Sequence, residues 1–240
     1  MQIAIVVYPG FTALDSIGPY EVLQRLPDAE IRFVWHEPGP IVADSGVLLV
    51  GATHSFDETP SPDLLLVPGG MTSMEHARDE KLLDWVRRVH ATSTWTASVC
   101  SGSLILAAAG LLDGRRATSH WLMLPALRPF GVDPVGDERI VHEGKIVTAA
   151  GVSAGIDLGL WLVGELAGRA QAEAIQLVIE YDPQPPFDSG HVSKASAAAK
   201  ARATKQLGKE SVQLHQILPT VQLLWTASIQ RVRARSARKH

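Results

Sequence analysis

The residue in this chain with the most chemical potential is its one cysteine, Cys100, in residues 96–106 (TASVCSGSLIL), where an apolar strand-like run stops and an Ala/Leu-rich helix begins. Ser101, Gly102 and Ser103 follow at once, and all three are small. A sharp strand–turn–helix elbow tolerates only small neighbours and lifts its central side chain out of the sheet. A thiol placed there meets a helix N-terminus, whose dipole and free N–H groups favour the thiolate. Moving a thiol pKa from about 8.5 to about 6 ionises most of it at pH 7, for about 3.4 kcal/mol of differential interaction. The pattern predicts a nucleophile that needs no metal. The competing reading is a small buried hydrophobe, the ordinary fate of a lone cysteine.

Three neighbours favour the nucleophile. Gly69-Gly70 ends an adjacent strand-like run, so the N–H of Gly70 and that of Ser101 can form a two-donor oxyanion pocket. Asp15 begins the helix after the first strand and reaches the same carboxyl edge, where sites in α/β sheets lie. His120, in residues 117–121 (ATSHW), follows a further strand-like segment. An ionised Asp15 would repel a thiolate. Either its carboxyl is protonated and donates to sulfur, or it is the base that holds the thiol proton, and the two groups titrate together. The plainer alternatives are a helix cap for Asp15 and a structural or pocket-wall role for His120.

The elements that must position these residues alternate between β-branched runs and helical segments, the pattern of a mostly parallel sheet with helices on both faces. Strands are predicted over residues 2–8, 30–36, 63–68 and 94–99, two short strands with a turn at Asp44-Ser45-Gly46 over 41–52, and a hairpin over 139–149 turning at Glu143-Gly144. Helices are predicted over 14–26, with Asp15 or Ser16 as cap and Pro19 near the start, and over 81–92, 102–109, 153–166 and 170–179. The segment 153–166 is almost wholly apolar and reads as buried. The expected fold is a flavodoxin-like doubly wound sheet carrying Cys100 on a nucleophile elbow.

Composition sets the frame around this core. With 240 residues, 46% of them hydrophobic, the chain can form one compact domain without staples. One cysteine excludes an internal disulfide framework and zinc sites built on several cysteines. The N-terminus lacks a signal-peptide pattern and no apolar run reaches spanning length, which predicts a cytoplasmic protein without membrane contact. From Tyr181 the composition turns to Pro183, Pro185 and Pro186 and then to an Ala/Ser/Lys-rich stretch over 193–205. We therefore divide the chain into a catalytic domain, 1–188, and a helical extension, 189–240. In the extension Leu214, Ile217, Leu218, Val221, Leu224, Trp225, Ile229 and Val232 recur at helical spacing, interrupted at Pro219. That stripe is expected to pack on the domain or on a partner subunit. Arg231, Arg233, Arg235, Arg238 and Lys239 make the tail basic; setting them aside leaves 17 of the 22 Lys and Arg against 25 Asp and Glu, so the body carries about −8. No aromatic residue is interleaved with these arginines to stack on bases, and nucleic acid is not the expected partner.

The segments YPGFTALDSIGPYEVL, LLVPGG, SVCSGSLILAAAGLLDGRRATSHW, VTAAGVSAGID and IEYDPQPPF resemble the ThiJ/PfpI superfamily, and within it the isonitrile hydratase branch, over about residues 3–188. The resemblance implies that Cys100 is the nucleophile, Asp15 the acid/base carboxyl, Gly70 a backbone donor and Ser101 the hydroxyl residue beside the nucleophile. The branch implies threonine at position 101, so Ser101 departs from it: the hydroxyl is kept and a rotamer-fixing methyl is lost. Val152 and Tyr181 match positions near the pocket. The implied activity is cofactor-independent hydration of a small isonitrile to a formamide by a homodimer. Glyoxalase or deglycase chemistry and an amidase or peptidase are the enzymatic alternatives, although Ser101 stands where a peptidase carries histidine. The non-enzymatic alternative is the sensing domain of an AraC-type regulator.

Overall fold

In a computed structural model that describes residues 1–211, the chain begins with β1 (Gln2–Val6), α1 (Ala13–Leu23), β2 (Glu30–Trp35), β3 (Gly39–Val42), β4 (Leu49–Ala52), β5 (His54–Ser55) and β6 (Leu64–Val67). It continues through α2 (Ser73–His76), α3 (Glu80–Thr92), β7 (Trp95–Val99), α4 (Gly102–Ala108), β8 (Arg116–Ala117), α5 (Leu124–Leu127) and β9 (Asp133–Pro134). The remaining elements are β10 (Ile140–Glu143), β11 (Ile146–Ala149), α6 (Ala154–Ala167), α7 (Arg169–Val178) and α8 (Ala197–Ser211). The seven-stranded sheet has the order β10-β11-β7-β6-β1-β2-β5. Its pairs are parallel apart from the β10–β11 hairpin, whose turn holds Gly144 at φ 66°. β3 and β4 form a separate antiparallel ribbon with Gly46 at φ 75° in the connection.

The central strands are buried on both faces, which is why β6 is a continuous apolar run, LLLV, instead of an alternating one. Ile3, Ile5, Leu64 and Leu66 join one core, packed with Val22 and Leu23 of α1, Leu158 and Leu162 of α6 and Ile175 of α7. Ala4, Val6, Leu65 and Val67 join the other, packed with Leu82, Leu83, Val86 and Val89 of α3 and Leu104 of α4. The sheet is thus doubly wound, as the sequence pattern predicts.

Three expectations are corrected. Thr12, and neither Asp15 nor Ser16, occupies the N-cap of α1, and its hydroxyl donates to Asp44 Oδ2 at 2.6 Å. Pro19 lies inside α1 instead of near its start, and it packs against α6: a Cβ on Gly155 would come within 3.0 Å of Pro19 Cδ. Finally, α6 buries only the stripe Ala154, Gly155, Leu158, Gly159, Leu162 and Val163. It lies on α1 as an outer layer, so its apolar far side, including Trp161, is only partly covered. The apolar stripe 214–232 and the basic tail lie outside the described residues. Among the described residues no helix is long and apolar enough to cross a membrane.

Candidate active site

The order of the parallel strands reverses between β1 and β6, and the loops after β1, β6, β7 and β11 meet at that carboxyl edge, the place where open α/β sheets hold ligands. Cys100 follows β7 directly with φ 56°, one of three non-glycine residues with positive φ among the described residues. That conformation costs about 1–2 kcal/mol, and the surroundings hold it at both the N–H and the carbonyl. The Cys100 N–H is shared between the carbonyls of Ala149 (3.1 Å) and Ala150 (2.9 Å). Its own carbonyl accepts from Ser103 Oγ (3.2 Å) and Ser119 Oγ (3.0 Å). Small residues are a steric necessity here: a Cβ on Gly102 would sit 2.2 Å from Val67 O, and one on Gly69 would sit 2.6 Å from both the backbone N and the Oγ of Ser101.

Asp15 arrives from the third position of α1 and is fully buried. Its Oδ2 accepts the Gly69 N–H at 2.9 Å, its Oδ1 has no hydrogen-bond partner, and the carboxyl faces the Cys100 thiol. Desolvation raises its pKa from the ordinary carboxylate value to about 7, against the lowering effect of the Gly69 and Cys100 bonds. The thiol is pushed well up as well, first by desolvation and then by the facing Asp15 carboxyl. This overturns the expectation of a thiol lowered by the helix end. The N–H groups of Ser101 and Val152 and the Ser101 hydroxyl oppose the rise, but α4 has only seven residues and the sulfur is buried. Burial outweighs the dipole, and the pair resists carrying two negative charges at once.

The other predicted residues take distinct places. Ser101 lies beside the sulfur, and its Oγ accepts the Gly70 N–H at 3.0 Å; the same N–H lies 3.0 Å from Ser73 Oγ. The Gly70 N–H therefore meets two hydroxyl oxygens in this arrangement. His120 borders the site at Gly151, where an added Cβ would fall 3.0 Å from its Cδ2. Burial lowers its pKa, and its Nδ1 faces the Leu122 N–H at 3.4 Å. Among the described residues, no hydrogen bond joins His120 to Cys100 or Asp15. Tyr181 donates to Asp157 Oδ1 on α6 at 3.1 Å. Sequence reasoning missed Ser73, Tyr8 and Ser119. Only Ser119 carried a signal, its place next to His120 in ATSHW.

A model of the DJ-1/PfpI family matches residues 1–165. The chain belongs to the DJ-1/PfpI family. Among curated relatives within reach of this family member, the isonitrile hydratase of Pseudomonas putida is 41% identical over 206 residues, which covers 86% of this chain and 90% of that protein. The HTH-type transcriptional regulator CdhR of Pseudomonas aeruginosa is 29% identical over 218 residues, 88% of this chain but 61% of the regulator. The crystal structure of a ThiJ/PfpI family protein from Pseudomonas syringae superposes with a TM-score of 0.85 at 37% identity, covering 93% of this chain and 90% of that one.

Proposed function

We propose that this DJ-1/PfpI family member hydrates an isonitrile, R–N≡C, to the N-substituted formamide through a covalent adduct on Cys100. The observation that carries the reading is the fully buried Asp15 carboxyl facing Cys100, with one oxygen on the Gly69 N–H and the other without a partner. The likeness to the Pseudomonas putida isonitrile hydratase supplies the substrate class. As the Cys100 sulfur bonds to the terminal carbon, Asp15 takes the thiol proton and returns it to that carbon, giving a thioimidate, R–N=CH–S. In the singly protonated pair the proton rests on the thiol, and Asp15 is the base that receives it as sulfur attacks. Water then adds to the same carbon, nitrogen gains a proton, and sulfur leaves with one, so isonitrile plus water becomes R–NH–CHO. Ser101 and Val152 N–H groups hold the sulfur while charge is on it. His120 forms part of the pocket wall in this reading, and Gly70 becomes an oxyanion donor if substrate displaces the Ser101 hydroxyl from it.

A second reading, a ligand-sensing role, draws on the likeness to CdhR. One experiment separates them: incubate the protein with a simple alkyl or aryl isonitrile and follow the formyl proton of the product by NMR. Formamide formed at a rate proportional to enzyme is the expected result. No formamide above the protein-free rate, across alkyl and aryl isonitriles, would discard the hydratase reading.

A further inference from the structure

Behind Ser101 runs a buried chain of hydroxyl groups that the reaction above leaves unused. Ser101 Oγ lies 2.6 Å from Ser73 Oγ. Ser73 Oγ lies in turn 3.3 Å from the hydroxyl of Tyr8, which donates to the carbonyl of Pro68 at 3.0 Å. Tyr8, Ser73 and Ser101 are 0%, 1% and 5% exposed, so the chain of hydroxyls is buried along its length. Gly70 is wedged between the two serines. Its N–H faces both oxygens, and its carbonyl is in reach of Ser101 Oγ at 3.3 Å and in short contact with Ser73 Oγ. The Ser101 hydroxyl also lies close enough to the Cys100 sulfur to favour its charged form.

Proton counting leaves two arrangements. Two hydroxyl oxygens 2.6 Å apart need a proton between them. If Ser73 supplies it, the Ser101 proton is free to point at sulfur. If Ser101 supplies it, the Ser73 proton goes to the Gly70 carbonyl and the sulfur loses a donor. Both arrangements keep each hydroxyl bonded. A charged sulfur selects the first, because a hydrogen bond to an ion is roughly twice as strong as one between neutral groups, and a donor behind Ser101 polarises it further. A β-methyl would restrict χ1 and leave the O–H rotor free, so the direction of the Ser101 proton is set by the polar groups around it, Ser73 among them.

We propose that Ser73, backed by Tyr8, is a positioning residue that sets the direction of the Ser101 hydroxyl, toward Ser73 while Cys100 is a thiol and toward the sulfur when it is charged. The inference rests on the reading that Cys100 reacts as a thiolate. Ser73 acts through Ser101 and not on the sulfur itself. The other titratable groups around the sulfur are Asp15 from α1, with Asp44 behind it, Tyr8 after β1, and His120 beside Gly151; His76 of α2 stacks on Tyr8 at 4.6 Å. Burial keeps Tyr8, His76 and His120 neutral near pH 7. Asp15 titrates with the cysteine, and a change at Ser73 leaves its contacts intact.

Because Cys100 is the only cysteine, the rate of its alkylation by iodoacetamide as a function of pH reads the thiolate directly and needs no isonitrile. Ser73→Ala is expected to slow alkylation at pH 7 about threefold and to move the profile to higher pH. Ser73→Thr, which keeps the hydroxyl, is expected to restore it. In a Ser101→Ala background, Ser73→Ala is expected to add nothing, and this arm does not depend on the threonine being accommodated. An unmoved profile in Ser73→Ala, or the same shift with and without the Ser101 hydroxyl, would overturn the proposal. A protein that never hydrates an isonitrile would still give this readout, so the two failures are distinguishable.

Discussion

At the amino edge of the sheet, the Lys145 ammonium donates to the carbonyls of His90, Ala91 (3.4 Å) and Ser93 (3.1 Å), which close the C-terminal end of α3. At the carboxyl edge, Asp15 accepts one backbone N–H, leaves its other oxygen without a partner, and faces a thiol. The lysine has a donor for each acceptor it meets and completes a helix end whose dipole favours a cation. The aspartate is held where its charged form is disfavoured, and that penalty brings its proton affinity to the neutral range. One edge of the same sheet therefore uses a polar group to stabilise the fold, and the other spends stability on a group able to move a proton.

The comparison predicts effects of very different size. Cys100→Ala should reduce formamide formation to the protein-free rate, measured by NMR, since no covalent intermediate forms without the sulfur. Asp15→Asn should stabilise the protein at high pH. A carboxyl whose pKa rises on folding from 3.8 to about 7 favours the folded state most below the lower value, and that contribution is lost as pH rises through about 7. The loss is at most on the order of 4 kcal/mol. The gain in thermal midpoint from Asp15→Asn should thus be larger at pH 8 than at pH 4; an equal gain at both would contradict the assigned shift. Lys145→Met should do the reverse, costing about 1–2 kcal/mol in denaturant unfolding while leaving turnover unchanged. Smallest of all, Ser101→Thr should keep turnover within a few-fold of the parent, because the backbone N–H that meets the sulfur stays in place.

Much of the fold and part of the site can be read in the sequence. The apolar run over 63–68 and the small residues after Cys100 mark β6 and the elbow, because burial on both faces and steric exclusion act on adjacent residues. Asp15 could be placed at the carboxyl edge, since any residue opening the helix after β1 must lie there. Its choice between cap and acid/base group could not be read, because that depends on whether Gly69, 54 residues away, meets its oxygen. The direction of the thiol shift was misjudged for a related reason: a helix end is visible in sequence, whereas desolvation is a property of the assembled edge. Ser73 and Tyr8 gave no signal at all, as a hydroxyl chain across 28 and 65 residues has no local pattern. Apolar composition likewise overstated the burial of α6, which an outer layer covers on one stripe only.

The central claim is that the incompletely bonded carboxyl at the carboxyl edge moves the proton the isonitrile carbon must receive, and the rate of formamide formation by Asp15→Asn tests it most directly. The amide keeps the size of the side chain and an acceptor for the Gly69 N–H but cannot exchange a proton. With folding verified by circular dichroism, turnover should fall by about 10²–10⁴-fold or more. A variant that turns over an isonitrile at the parent rate would contradict the account and leave Asp15 a structural residue of α1.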